Sequence, residues 1–338
     1  MITPALRSLK KRFPEAQIDL LVQFGVAPLA ETFPNIHCIH SLPCGFLLRG
    51  GRRLAGVAAW FLKLFELRRN EYNLIIDFMG LFHSAAAAWM SRAPLRIGHR
   101  RDISLGYISL STFGHFYTHE ICSEKEDHLA DQMALLPAAL GAPIDREGWE
   151  VVITAEMEKA AASRLHLDGA DSEKGPFVLI HPGAKWPPRR WPPEIFAKTI
   201  DILHGKGIRA ILNAGPGEEA IIEAIRHHCD SNPIYLWPPV PLDTLWGMLK
   251  LSAAYLGNES GPMHMAGAAG TPVVSIFGPT QPQRVGPRGS PFIPIYSALE
   301  CSPCQPYFTG EKCHRGHNYC MDEITPADAA AIERLINK

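Results

Sequence analysis

Short apolar runs alternate along this chain with longer segments in which apolar residues return every three or four positions. In Thr3–Phe13, Ala5, Leu6, Leu9 and Phe13 share a face and Arg7, Lys10, Lys11 and Arg12 surround it, which predicts a helix. Ile18–Val22 and Ile36–Ile39 predict strands. The chain therefore opens on a helix, although a helix in a parallel α/β sheet normally crosses over from a preceding strand. In Phe46–Asn70, Leu54, Val57, Trp60, Phe61, Leu64, Phe65 and Leu67 interleave with Arg49, Arg52, Arg53, Lys63, Arg68 and Arg69 against the lone acid Glu66. Two readings stand: a core helix with a solvated basic face, or a helix touching an anionic membrane surface. Leu74–Phe78 predicts a strand, Ser84–Met90 and Glu126–Leu140 predict helices, and Gly141-Ala142-Pro143 stops the last of these. Around residues 155–175 the composition turns small and charged, as expected on approach to a domain boundary.

A second alternating series follows. Strands are predicted at Phe177–His181, Arg209–Asn213 and Ile234–Leu236, with helices at Pro193–His204, Glu218–His228 and Leu242–Leu251. This is the spacing of βαβ units and predicts a Rossmann-like domain. Apolar Ala253–Leu256 and Pro272–Phe277 then flank Gly257–Gly270, GNESGPMHMAGAAG, a turn and a short helix built of small residues. Thr325 reads as the N-cap of a final helix running nearly to Lys338.

At 338 residues the chain suits two α/β domains, and 46% hydrophobic content supports well-buried cores. We place the domains at 1–165 and 166–324, with 325–338 as a C-terminal helix packing back on the first. A net charge of −1 gives no reason to expect nucleic acid. No apolar run is long enough to span a bilayer, and the N-terminus lacks the apolar core of a signal peptide, so the expected location is cytoplasmic.

The candidate chemistry sits in turns after predicted strands, where parallel sheets bind ligands. The turn 181–192 offers Gly183 for close backbone approach and Lys185, Arg189 and Arg190 as cations for a phosphate. The turn 213–219 brings a carboxylate just past glycine, suited to ribose hydroxyls; Glu219 is preferred and Glu218 is its near equal. In the third turn, Glu259, Ser260 and Gly261 open a helix whose free N–H groups and positive dipole end favour a phosphate, with His264 one turn on. His264 also reads as a histidine packed under the turn. There is neither a GxGxxG after a strand nor a Walker A lysine loop. In the first half, Asp77 ends a strand, and His99 and Arg100 lie in the basic cluster 96–101. These residues either receive an anionic substrate or merely cap a strand and line a solvated loop. Eight cysteines are too few for a disulfide scaffold, but Cys301, Cys304, Cys313 and Cys320 crowd one segment with His314 and His317. That grouping suits structural zinc, another metal or a disulfide staple; equally, it suits reduced thiols packing a loop.

Segments 181–192 (HPGA…RRWP), 258–280 (NESGPMHMAGAAGTPVVSIFGPT) and 301–326 (CSPC…GHNYCMDEITP), with 3–22, 72–85 and 94–101, resemble glycosyltransferase family 9, the ADP-heptose:lipopolysaccharide heptosyltransferases. The resemblance implies an α/β fold of GT-B type: two Rossmann-like domains with parallel sheets facing across a cleft. It further implies an inverting transferase moving heptose from an ADP-heptose donor to a lipopolysaccharide core acceptor, with no cofactor required. Another nucleotide sugar, an epimerase, or a non-catalytic ADP-sugar-binding protein are the alternatives. Gly183, Lys185, Arg189, Glu219, Glu259, Ser260, Gly261 and His264 would bind the donor; Asp77, His99 and Arg100 would lie on the acceptor side. Glu259 stands where the family usually has Asp, and Arg189 where it often has Lys. The resemblance implies a first strand and a Gly-Asp turn ahead of Met1, so the first strand of the N-terminal domain is expected to be missing, together with the Asp that would act as base.

Overall fold

The computed structural model describes residues 1–42, 53–99, 116–122, 128–170, 175–304 and 312–336, with side chains given from residue 59 onward in the second stretch and not for Phe82. The chain forms two compact units, Met1–Arg146 and Glu147–Lys338.

The first unit opens with helix α1 (Thr3–Arg12), which buries Ala5, Leu6 and Leu9 as the apolar spacing requires. Strand β1 (Asp19–Gln23), helix α2 (Ala27–Ala30) and strand β2 (Cys38–Leu42) follow, and β1 and β2 pair in parallel. Helix α3 (Arg53–Arg68) buries Trp60, Leu64 and Leu67 against Ala86 and Ala87 of helix α4 (Phe82–Met90). Between these helices lies β3 (Leu74–Asp77), and after them β4 (Leu95–His99) and β5 (His119–Ile121), in a parallel sheet ordered β3-β4-β5. Helix α5 (Leu129–Ala138) packs on α1. The Arg7 guanidinium holds the buried Asp145 carboxylate in a two-pronged contact of 2.6 and 2.9 Å, geometry that makes an arginine–carboxylate pair strong.

The second unit begins before the expected boundary at 165/166. Helix α6 (Ala155–Leu167) belongs to it and packs along helix α9 (Leu242–Leu251). Thr154 caps α6, its hydroxyl accepting from the Met157 N–H at 3.3 Å. The intervening elements are β6 (Phe177–His181), α7 (Pro193–Gly205), β7 (Arg209–Asn213), α8 (Glu219–His228) and β8 (Ile234–Leu236). Then come β9 (Ala254–Asn258), α10 (Gly261–Ala268), β10 (Val273–Phe277) and β11 (Phe292–Tyr296). All six strands run parallel in the order β11-β10-β9-β6-β7-β8. Every residue of β6, β9 and β10 is buried, the signature of a parallel sheet covered on both faces.

The C-terminal segment corrects an expectation. It is helical from Pro326 to Ile336 as expected, tightening to a 3-10 turn at Ala330–Ile332, but it packs within the second unit. Ala329 and Ile332 enter the core formed by Val178, Ile180 and Phe196, because their spacing presents an apolar stripe that α7 covers. A capping box starts the segment: Thr325 N–H donates to Asp328 Oδ2 at 2.9 Å, and Asp328 N–H donates back to the Thr325 hydroxyl.

Candidate functional site

The sheet order fixes where the second unit can bind a ligand. From β6 the chain moves outward to β7 and β8, then returns to the other side of β6 with β9. The carboxyl ends of β6 and β9 thus form a topological switch point, where loops diverge and leave a crevice. The two strands run close, with His181 opposite Gly257. A Cβ at Gly257 would lie 2.5 Å from the His181 carbonyl oxygen, so only glycine fits there.

Three side chains sew the loops together. Asn258, fully buried at the end of β9, donates from Nδ2 to the Pro182 carbonyl at 2.6 Å and accepts from the Trp191 N–H at 3.1 Å. Trp191 in turn donates from its indole to the Ile324 carbonyl. Arg190 donates to the Ala184 carbonyl at 2.8 Å, which makes it a brace of the loop. Sequence reasoning passed over Asn258, although Asn just before the Glu-Ser-Gly turn was the available signal.

Glu259 is the buried acid of the site. Its Oε2 lies 2.6 Å from Arg189 Nη1 and accepts from the Thr280 hydroxyl at 3.1 Å. Burial pushes its carboxyl above the usual range, and the Arg189 charge and the Thr280 hydrogen bond oppose that push. The pair fixes Arg189 at the rim of the switch point. Ser260 is the N-cap of α10 in extended conformation; its hydroxyl makes no cap bond and lies beside that of Tyr255. Gly261 begins the helix, and a Cβ built on it meets nothing within 4 Å, so open space fronts the helix start. Pro262 costs the helix no bond at this position. His264 packs edge-on against Trp149, ring centroids 5.3 Å apart, so the reading of a histidine packed under the turn describes part of its surroundings.

The turn 213–219 separates two neighbouring acids. The Glu218 carboxylate lies where a Gly183 side chain would be, 2.1 Å from the position of an added Cβ. It accepts from the Gly215 N–H at 2.8 Å, and its Oε2 lies 3.5 Å from His181 Nε2. Glu219, the first residue of α8, is exposed and accepts from the Gly217 N–H at 3.2 Å. Thus Glu218 is the acid brought against Gly183, while Glu219 stays accessible. His181 is held below its usual pKa by burial, against the pull of Glu218 and Asn213, and is neutral at pH 7. Lys185 is exposed and stacks over Trp186 at 5.0 Å.

In the first unit, Asp77 is buried and engaged. Its Oδ1 accepts from the Met79 and Gly80 N–H groups at 2.8 and 3.2 Å, and its Oδ2 from the Tyr117 hydroxyl at 2.7 Å. It therefore shapes the turn after β3, where Gly80 takes φ +61°. His99 ends β4, and burial lowers its pKa to about 4. Arg100 lies outside the described residues. The basic cluster was expected to follow a strand, but Leu95–His99 is itself a strand.

The C-terminal cysteines are half-buried free thiols. Cys304, Cys313 and Cys320 line one small cavity with His314 and Pro188, and Cys301 receives a contact from Arg315 at 3.5 Å. Burial raises the Cys304 thiol and pushes Cys320 up to about 11.

A parallel sheet with an open helix N-terminus, a fixed arginine and the exposed Glu219 around its switch point suits a nucleotide-diphosphate ligand, and sequence and fold comparisons place the chain among the glycosyltransferases. The chain belongs to glycosyltransferase family 9 (heptosyltransferase), whose sequence profile matches residues 62–314. It is 25% identical over 288 residues to lipopolysaccharide heptosyltransferase 3 of Escherichia coli, spanning 83% of this chain and 80% of that one. It is 26% identical over 297 residues to lipooligosaccharide heptosyltransferase 2 of Haemophilus ducreyi, spanning 83% and 80%. The fold matches the E. coli ADP-heptose lps heptosyltransferase II structure with a TM-score of 0.76 at 19% identity, covering 99% of this chain and 94% of that one. The glycosyl transferase family 9 structure from Veillonella parvula gives 0.78 at 21%, covering 99% and 93%.

Proposed function

We propose that this protein is an inverting heptosyltransferase that moves heptose from ADP-heptose to the inner core of lipopolysaccharide. The observation carrying this reading is the open N-terminus of α10 beside Arg189 at the switch point. In this account the donor diphosphate rests on the first N–H groups of α10, with Ser260 and Gly261 against it and Arg189 and Lys185 supplying positive charge. The exposed Glu219 takes the ribose hydroxyls, and His264 lies one helical turn from the phosphates. Cleaving the sugar–phosphate bond leaves charge on ADP. A preorganised dipole and fixed cations stabilise that charge most as it develops, which lowers the barrier without requiring a metal. The named relatives, lipopolysaccharide and lipooligosaccharide heptosyltransferases, support the sugar and the acceptor.

We infer that the enzyme works at the cytoplasmic face of the membrane bearing its acceptor. No helix among the described residues is long and apolar enough to cross a membrane. Helix α3 instead exposes Phe61, Leu62 and Phe65 near Arg68 and Arg69, a mixture suited to an anionic lipid surface.

The test is incubation with ADP-heptose and truncated core acceptors, both heptose-free and heptose-bearing. Release of ADP that depends on acceptor, with a one-heptose mass gain in the product, supports the proposal. Tight donor binding without turnover points to a non-catalytic ADP-sugar-binding protein, and turnover only with another nucleotide sugar reassigns the donor. Failure to bind any ADP-sugar overturns the reading.

A further inference from the structure

The first two strands assemble a polar cluster far in sequence from the switch-point loops. Asp19 and Cys38 open β1 and β2 and stand opposite each other in parallel register. Side chains alternate along a strand, so Cys38 and His40 point to one face, and Asp19 shares that face across the ladder. The sequence His37-Cys38-Ile39-His40 thereby meets an acid in space. One ligand atom from each of Asp19, Cys38 and His40 lies within 4.8 Å of the other two, and His40 Nε2 is 3.3 Å from Asp19 Oδ2. Two further groups support the carboxylate. The Tyr72 hydroxyl, just ahead of β3, donates to Asp19 Oδ2 at 2.7 Å and lies 3.1 Å from His40 Nε2. His37 Nδ1 lies 3.0 Å from Asp19 Oδ1.

We propose that Asp19, Cys38 and His40 form a binding site for a zinc-class divalent transition metal, which ties β1 to β2. The donor set selects the ion. One sulfur, one imidazole nitrogen and one carboxylate oxygen suit borderline-soft zinc or cobalt, whereas magnesium and calcium prefer oxygen alone. Around a tetrahedral zinc, neighbouring ligand atoms stand roughly 3.3–3.8 Å apart, from bond lengths of about 2.0–2.3 Å. The observed spacings reach that range with small rotamer changes. Tyr72 and His37 hold Asp19 as second partners to a metal-bound carboxylate commonly do.

A bound ion would be held by the Asp19 carboxylate, a ring nitrogen of His40 freed of its proton and the Cys38 thiolate, the displaced protons passing to solvent. The three protein ligands leave one position for water. The cluster lies at the amino ends of β1 and β2, opposite the carboxyl ends where parallel sheets bind substrates, so its role is structural. It is also separate in sequence from the C-terminal cysteines, which any metal assay must keep apart.

Peptide-resolved alkylation of the full chain makes that separation. The protein is treated with iodoacetamide with and without added Zn²⁺, and each cysteine is followed by mass spectrometry. Zn²⁺ is expected to slow modification of Cys38 by at least about tenfold, because a metal-bound thiolate is masked, while exposed Cys122 is unaffected. In parallel, Co²⁺ titration should show thiolate-to-metal absorption that falls by one site's worth in both Cys38→Ser and His40→Gln, with metal-free folding checked by circular dichroism. Equal Cys38 alkylation with and without Zn²⁺, together with cobalt absorption unchanged in the folded variants, overturns the proposal and leaves a hydrogen-bonded cluster only. If the variants do not fold, alkylation of the unsubstituted chain decides alone.

Discussion

Arg189 and Glu259 show how one residue can serve both stability and chemistry. Removing one member of a buried ion pair leaves the other charge without its partner, which typically costs about 3–5 kcal/mol. Arg189→Ala should therefore lower stability by roughly 3 kcal/mol, read by urea denaturation, because Glu259 stays buried without its arginine. Adding Glu259→Gln should recover most of that loss but none of the donor affinity. Full recovery of binding in the double variant would remove Arg189 from the donor site. His99 gives a pH prediction. Its folded pKa of about 4 lies below that of an unfolded histidine, so the unfolded chain binds the extra proton first. Its neutral form is compatible with the fold above about pH 6.5, and stability falls as pH drops from there towards 4, by at most about 3 kcal/mol for this group. His99→Asn should flatten that part of the curve in denaturation measured at several pH values; an unchanged slope would contradict the assignment. The neighbouring acids of the turn 213–219 mark a limit of sequence reading. Residues 218 and 219 differ by one position at a helix start, which turns their side chains by about 100°. Spacing from glycine cannot decide which of them faces Gly183.

Among the elements, the strands of the second unit were legible because complete burial makes them plain apolar runs. Phe177–His181, Arg209–Asn213 and Ile234–Leu236 match the expected spans. Helix α6 was not legible from composition: it buries only a narrow stripe, Ala161 and Leu165, and its small and charged residues read like a linker. β4 was hidden because Arg96 and His99 dominate a short strand, and its neighbour β5 spans only His119–Ile121. Tertiary packing supplies what the local pattern lacks. Gly247 of α9 lets α6 lie against it, for an added Cβ would fall 2.2 Å from the Met157 carbonyl oxygen. That contact is with backbone, which cannot rotate away. Gly247→Ala should destabilise the second unit by about 1–3 kcal/mol or more, seen as a lower denaturation midpoint. A neutral effect would mean the two helices pack more loosely than described.

For the whole molecule, family membership and fold agree with the resemblance that the sequence motifs carry. What they did not carry was packing. The C-terminal helix, expected to pack back on the first domain, contributes Ala329 and Ile332 to the core of the second unit, since apolar spacing reveals a buried stripe but not its partner. Membrane contact belongs to this scale too. Replacing Phe61, Leu62 and Phe65 together by Ser should reduce co-sedimentation with anionic vesicles by about tenfold or more, since each removes apolar area that inserts at the interface. Equal sedimentation of the variant would exclude α3 as the contact. The central claim is that the start of α10 holds the donor diphosphate, and Gly261 permits a direct test of it. A Cβ built there meets nothing within 4 Å, and Gly261→Leu is expected to fold as the unsubstituted chain does, checked by thermal denaturation. Calorimetric titration of ADP-heptose into both proteins is the decisive measurement. Gly261→Leu should bind at least a hundredfold more weakly, about 2.7 kcal/mol, at unchanged thermal stability. Equal affinity in the two proteins would contradict the central claim.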